Sequence, residues 1–295
     1  SLNYQIIEPI IVQINATPLS GLDAGDIISF DVKIEHTSGL STAPAYDLIL
    51  TDELNDLIEL IPILTDVKVS TNGYNIISGD IIGDTEINIE IPQHNLDDPD
   101  IRIQYSVRLT QGIKALDTIN LAPKLQYDSS PNNIKNNEGR IENYIGSFQT
   151  ITASSSKIRD KELIATSLET TPGSTIAIGE IATYRFILEF MEGTLPQSKV
   201  IFNMHQVMTF TKAEFSYGTN IEASKVPTPL VNGNTVTIEF GIITNSYDNQ
   251  GPNDKDVLSV DLTLRAVDDG IVDIGDILTN TITFSHDNLF TATEN

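Results

Sequence analysis

Neither cysteine nor tryptophan occurs in this chain of 295 residues, and histidine occurs only four times. The first absence excludes a disulfide framework, a thiolate zinc site and a cysteine nucleophile. It suits exported bacterial surface proteins, which avoid mispairing, as well as cytosolic ones. Positive charge is scarce too: 17 Lys and Arg face 41 Asp and Glu, a formal net charge of −24. That balance argues against nucleic acid or an anionic membrane as partner and makes cations the natural counterparts. The competing explanation is a solvated acidic surface in a salty habitat. The acidic residues are dispersed among apolar ones, so they form no disordered acidic tail. No apolar run approaches the roughly 20 residues of a membrane helix, and no membrane insertion is expected. The sequence starts at Ser1 without Met or a signal peptide, which reads as a piece of a longer chain.

Catalytic signatures are missing as well. His36, His94, His205 and His286 are scattered singly, with no pair at metal-binding spacing, and each is expected at the surface or at a strand end. There is no Gly-x-Ser-x-Gly elbow and no phosphate-cradling glycine loop. The neighbours Asp97 and Asp98 would diverge in a turn. The expectation is a protein that is not an enzyme.

What is present is repetition. Thr17-Pro18 followed by Leu22–Gly39 aligns with Thr171-Pro172 followed by Ile176–Gly193 at a constant offset of 154. Further on, Arg108 falls on Arg265 and Asp128 on Asp287. A duplicated module follows, residues 1–153 and 154–295, with the joint at 154–160, where Ser154, Ser155 and Ser156 interrupt the pattern. Each copy reads as β. Ile28, Phe30, Val32 and Ile34 alternate with polar residues, as do Ala182, Tyr184, Phe186 and Leu188, and then Ile101–Val107 and Leu258–Leu264; period two means strands with one buried face. Asn232-Gly233 is a hairpin signal, and Thr51–Leu60 has room for one helical turn. About seven strands per module predict an all-β protein of two tandem immunoglobulin-like antiparallel sandwiches; a jelly roll needs more strands.

Residues 17–54, "TPLSGLDAGDIISFDVKIEHTSGLSTAPAYDLILTDEL", resemble the tandem immunoglobulin-like repeats of giant bacterial cell-surface and adhesin proteins, with "TTPGSTIAIGEIATYRFILEF" and "FGIITNSYDNQGPNDKDVLSVDLTLRAV" similar to later parts of the same repeats. The resemblance covers most of both modules and rests on turn and core positions. It implies a spacer or stalk module in an exported protein on the bacterial cell surface. In the second module the repeats' Thr-Asp after the third strand is replaced by Asn203 and Met204.

Acidic turns are the candidate site. "NSYDNQGPNDKD", residues 245–256, carries Asp248, Asp254 and Asp256, residues that serve either a backbone turn or a calcium ion. In immunoglobulin order the turn after the first strand, the turn before strand F and the end of strand G meet at one pole. That groups Asp23, Asp26, Asp97, Asp98, Asp100 and Asp128 in the first module, with Asp160 or Glu162 from beyond the linker. In the second it groups Glu180, Asp248, Asp254, Asp256 and Asp287 at the far pole. Calcium binding and a stiffened joint are the expectation. Lys33 alternates outward, which argues against an internal Lys–Asn cross-link, and the sequon at Asn15 matters only in a glycosylating host.

Two functional classes remain: a mechanical spacer whose partners are neighbouring modules of the same chain, otherwise monomeric, and a module that binds sugar or protein through loops. Tyr46, Tyr74, Tyr144, Tyr217 and Tyr247 lie far apart in sequence, which favours the spacer. A self-assembling surface layer is a third reading.

Overall fold

The computed structural model describes residues 10–39, 41, 43–61, 67–128, 144–145, 149–168, 175–268, 270, 275–287 and 289–294. Every regular element among them is a β-strand. The Thr171-Pro172 part of the repeat lies outside the described residues. Two compact units divide the chain: Ser1–Thr110 with Asp117–Ala153, and Gln111–Leu116 with Ser154–Asn295.

The strands of the first unit are β1 (Ile10–Thr17), β2 (Ser20–Leu22), β3 (Ile27–His36), β4 (Ala45–Glu53), β5 (Ile58–Leu60), β6 (Lys68–Val69), β7 (Asn75–Ser78), β8 (Glu86–His94), β9 (Ile101–Leu109), β10 (Thr118–Leu121), β11 (Lys124–Asp128), β12 (Tyr144–Ile145) and β13 (Gln149–Ala153). One sheet has the order β1-β3-β9-β5, with β6 also on β9, and the other β12-β11-β4-β8-β7. A short third ladder, β10-β13-β2, pairs the beginning of the unit with its end, and β2 and β13 run parallel. The second unit holds β14 (Lys157–Thr166), β15 (Ile181–Glu189), β16 (Gly193–Asn203), β17 (Met208–Tyr217), β18 (Ile221–Ala223), β19 (Pro229–Asn232), β20 (Thr235–Asn245), β21 (Val257–Ala266), β22 (Thr281–His286) and β23 (Leu289–Glu294). Its sheets are β14-β15-β21-β17 and β18-β20-β16-β22-β23. Both units are immunoglobulin-like sandwiches with one strand plan.

The register agrees as well as the order. Ile27 lies opposite Arg108 and Ile34 opposite Ile101 in the first unit, and Ile181 lies opposite Arg265 and Leu188 opposite Leu258 in the second. Alternation fixes that register, because a one-residue slip would turn every apolar side chain outward. Ile28, Val32, Ile34, Ile103 and Val107 are fully buried, as are Leu258, Val260, Leu262 and Leu264. Each such side chain contributes about 1.5–3 kcal/mol relative to exposure.

Each sandwich starts at one end and finishes at the other. β1 places Ile10 opposite His36 and Thr17 opposite Ser29, so it runs toward the end where β3 begins. β13 finishes at that same end, with Thr152 beside Ser20 just before the turn into β3. In the second unit β14 runs from Lys157, opposite Glu189, to Thr166, opposite Ala182. β23 runs from Leu289, opposite His286, to Glu294, opposite Ile282. Ile282 pairs with Phe202 near the finish of β16, so β23 also ends where β15 begins.

Three local expectations need correction. Gln111–Leu116, which the repeat assigns to the first module, is built into the second unit: Ile113 is 1% exposed, its carbonyl accepts the Thr194 N–H at 2.9 Å, and the Gln111 amide donates to the Asn245 carbonyl at 2.9 Å. Gly193 permits this approach, since at φ +137° a Cβ would lie 2.5 Å from the Ile113 carbonyl oxygen. Thr51–Leu60 holds the end of β4, a turn and β5 with no helical turn; Ile58 and Leu60 are buried against β9. The hairpin between β19 and β20 turns on Gly233 and Asn234, one residue later than expected, because Asn232 is itself paired with Thr235. Gly233 alone takes positive φ there, as a type II′ turn requires.

Candidate functional site

The acidic turns are built on one hydrogen-bond pattern. A residue donates its N–H to the carboxylate three positions on, and accepts that residue's N–H at its own carbonyl. Asp23 and Asp26 do this at 3.0 and 3.2 Å, and Ala177 and Glu180 do it at 2.7 and 3.0 Å. Asn95 with Asp98 closes at 2.7 and 3.1 Å, and Asn253 with Asp256 at 3.0 and 3.1 Å. Asp26 and Glu180 are equivalent positions of the two units, and Asp98 and Asp256 close the corresponding turns before β9 and β21 one position apart in register. The carboxylate supplies an acceptor for an N–H that no ladder reaches, and a backbone donor left without one costs about 1–3 kcal/mol where it is shielded from water. Glu180 is only 2% exposed and Asp256 1%. Glu180 also accepts the Leu168 N–H at 3.2 Å, and Asp256 accepts the Asn220 amide at 3.0 Å.

The structure separates the candidate ligands of the first module. Asp23 and Asp26 precede β3, whereas Asp97, Asp98 and Asp100 precede β9, and those strands are antiparallel. The two groups sit at opposite ends of a ladder seven residue steps long, roughly 24 Å at strand rise. Asp128, opposite Tyr46, belongs to the second end. The expected single pole fails because Ile101–Leu109 is the strand beside β3 and not strand F, so its leading turn points the other way. Asp100 accepts the Lys33 ammonium at 2.9 Å, and Lys33, which also bonds Glu35, faces outward as expected. Asp160 and Glu162 are exposed on β14, opposite Ile187 and Arg185.

In the second unit Asp248, Asp254, Asp256 and Asp287 do share an end, but it is the end where β14 begins; Glu180 lies at the other. Asp256 sits one residue before β21, and its carbonyl accepts the N–H of Phe190, which follows β15. Asp287 pairs with Lys114 at 3.7 Å, and Asp254 with Arg159 at 3.3 Å. Asp248 accepts Lys255 at 3.0 Å and the Asn220 amide at 3.3 Å; the Lys255 ammonium holds its carboxyl below the usual range. Among the described residues no three His, Asp or Glu side chains converge as a metal site would require.

Two groups of titratable residues were not legible as sites. Asp52, on β4, is 2% exposed and accepts the hydroxyl of Tyr105, also 2% exposed, across the first sandwich. The Tyr105 ring stacks on Phe30 with centroids 4.9 Å apart. Burial pushes the Asp52 carboxyl up to about 6, against the opposing Tyr105 bond, and pushes the Tyr105 phenol well above its usual value. Leu50 pairs with Leu125 and Val200 with Phe284, so the register sets Phe202, not Asn203 or Met204, at the position of Asp52. Phe202 is 1% exposed and packs on Phe186 at 5.3 Å. His36, His94 and His286 close β3, β8 and β22, the strand ends expected of them; His94 and His286 are each 1% exposed, and the His36 and His94 rings stack at 4.5 Å. Burial, then the neighbouring His36, lowers the His94 pKa. Asp52 and Tyr105 are sealed from solvent, so a substrate does not reach them, and their contribution is to packing and pH response.

No family model matches the chain, and no curated protein matches it. Among solved structures it is similar to the C-terminal domain of the Streptococcus agalactiae AgI/II polypeptide BspA, at 11% identity over 97% of this chain and 98% of that one, with a TM-score of 0.37. It is similar to the 35 kDa C-terminal fragment of the S. agalactiae major pilin GBS80, at 11% identity over 97% and 87% with a TM-score of 0.38. The Enterococcus faecalis MSCRAMM ACE, described as binding its ligands by the collagen hug model, matches at 12% identity over 96% and 92% with a TM-score of 0.30. At these scores the likenesses carry nothing about function; the fold class stands on the strand order and register above.

Proposed function

We propose that the chain is a non-enzymatic spacer segment of a large bacterial surface protein, bearing tension along its strands. The observation that supports this is the course of the chain through each unit. The first strand begins at one end of the sandwich, and the last strand finishes at the opposite end while running in the same direction. Tension applied through the chain then pulls along the ladders that hold those strands, so several hydrogen bonds resist together. Pulling across a ladder would break them one at a time. Forced unfolding is governed by the unfolding rate, and such loading raises its barrier. Calcium is no part of this reading, because the most buried of the expected ligands, Asp256, already serves its own turn as a backbone acceptor. Stretching single molecules of the whole chain tests the proposal. Two sudden releases are expected, each lengthening the chain by about 50 nm, the extended length of a unit of roughly 140 residues. Gradual extension without releases would overturn it.

A further inference from the structure

A sheet ends in strands whose outer backbone groups have no ladder, and proteins blunt such edges with short strands, charge, proline, bulges or a covering segment. Most edges here are blunted in that way. β7, β10, β12 and β18 hold four residues or fewer, and β19 opens on Pro229. β1 lies against β12 and β13, and β14 against β23; β14 is also bulged twice and carries Arg159, Asp160, Lys161 and Glu162 in a row. β17 is different. It closes the sheet β14-β15-β21-β17 with no strand on its other side among the described residues, and after one bulge at Thr211 it keeps register with β21 from Lys212 to Tyr217. Its only charges, Lys212 and Glu214, meet each other at 3.0 Å. In the first unit the same place beside β9 is held by β5 and β6, pieces of three and two residues.

The free side of β17 has a defined polarity. Gly218, the next residue, donates its N–H to the Val257 carbonyl at 2.8 Å. Bonds in an antiparallel ladder alternate, so Ser216, Glu214 and Lys212 bond β21, while Ala213, Phe215 and Tyr217 turn N–H and C=O outward. The same three side chains stand on the core face, opposite Leu262, Val260 and Leu258. Their cover is incomplete. Phe215 meets Phe240 edge-on at 5.9 Å but is only half-buried, and Tyr217 is 37% exposed.

We infer that β17 pairs with β17 of a second copy of this chain, antiparallel about a two-fold axis at Phe215. A row of outward amides and carbonyls recognises an extended strand, and the sequence of β17 complements itself. The two-fold sets Phe215 against Phe215, Ala213 against Tyr217 and Glu214 against Ser216. About six hydrogen bonds form, two for each pair of outward-facing residues. On the core face the two Phe215 rings become cross-strand neighbours, and each Tyr217 lies over a small Ala213. Charge selects the same contact. Copies of net charge −24 repel each other, yet Met208–Gly218 is neutral, and no like charges oppose each other in this register. Centring one residue earlier would set Glu214 against Glu214. A contact one strand wide falls short of the roughly 1,000 Å² of a stable interface, so the dimer is weak and reversible.

Sedimentation equilibrium of the whole chain from about 20 µM to about 1 mM, the range a weak interface demands, is the test. The average mass should rise from monomer toward dimer, and rise further in high salt, which screens the repulsion between acidic copies. Ser216→Glu opposes Glu214 across both halves of the register and should abolish the dimer. Ser216→Lys, at the same exposed position, should tighten it about fivefold. Ala213→Pro removes an N–H that β21 does not use and should leave a folded monomer; if that variant misfolds, the two Ser216 variants still decide. A wild type that stays monomeric throughout overturns the inference, whether the edge then takes a strand of another protein or none, and so does equal association by the wild type and both Ser216 variants. This pairing goes beyond the spacer reading, and stretching is read on single molecules, so the two results fail separately.

Discussion

Replacing Asp52 by Asn should remove a pH dependence that the first unit carries in its core. The folded carboxyl sits at about 6, against an ordinary value of 3.8. The difference is about two units, and at 1.36 kcal/mol per unit it amounts to about 3 kcal/mol. The sign follows from proton binding. The folded state holds this proton more tightly than the unfolded chain, so the contribution is fully present below pH 3.8 and is lost as pH rises through 6. His94 acts oppositely, since its lowered pKa favours the neutral ring and withdraws stability as pH falls, but it is common to both proteins and cancels in their difference. Asn keeps an acceptor for the Tyr105 hydroxyl and cannot ionise. Calorimetric melts of the two proteins at pH 7 and pH 4.5 read the effect. Relative to the variant, the wild type should gain about 2 kcal/mol between pH 7 and pH 4.5, or roughly 4–8 °C for a unit of this size, the remainder returning only below pH 3.8. Equal pH responses of the two proteins would refute the reasoning.

Other expectations are as direct. Asp256→Ala removes the acceptor for both the Asn253 N–H and the Asn220 amide and should cost about 2–3 kcal/mol in urea titrations, whereas Asp254→Ala, which loses only an exposed ion pair, should cost less than about 1 kcal/mol; equal costs would contradict the turn-capping role. Gly193→Ala forces a Cβ onto the Ile113 carbonyl and should destabilise the second unit by more than about 2 kcal/mol, against about 1 kcal/mol for Gly233→Ala, where the same atom meets open space. Residues 154–295 expressed alone should melt below the second unit of the whole chain, because they lack buried Ile113 and the Gln111 bonds; matching melts would show that the borrowed segment adds nothing. Millimolar calcium should raise the melting temperature no more than sodium chloride at equal ionic strength, and a calcium-specific rise would restore the cation reading of residues 245–256.

The sandwiches were legible because period-two burial is written directly into residues such as Ile28–Ile34 and Leu258–Leu264. The offset of 154 predicts the register of β15 from that of β3. The acidic site was less legible. Asp26 and Glu180 announce turns, but which turns share an end depends on which strand neighbours β3, and alternation looks the same in β9 and in a strand of the other sheet. Asp52 was visible only as part of a Thr-Asp pair, since nothing local distinguishes a carboxylate facing the core from one facing water. The place of Gln111–Leu116 was hidden for a related reason: a six-residue loop shows no period, and its partners, Thr194 and Asn245, are more than 80 positions away.

The central claim is that tension runs along the terminal ladders, and pulling one unit in two directions tests it most directly. The chain has no native cysteine, so introduced thiols are unique handles. Lys157→Cys with Glu294→Cys loads the second unit from end to end, whereas Lys157→Cys with Glu189→Cys pulls apart one paired rung and peels β14 from β15. The account predicts a rupture force several times higher in the first geometry at equal loading rate; equal forces in both would contradict it.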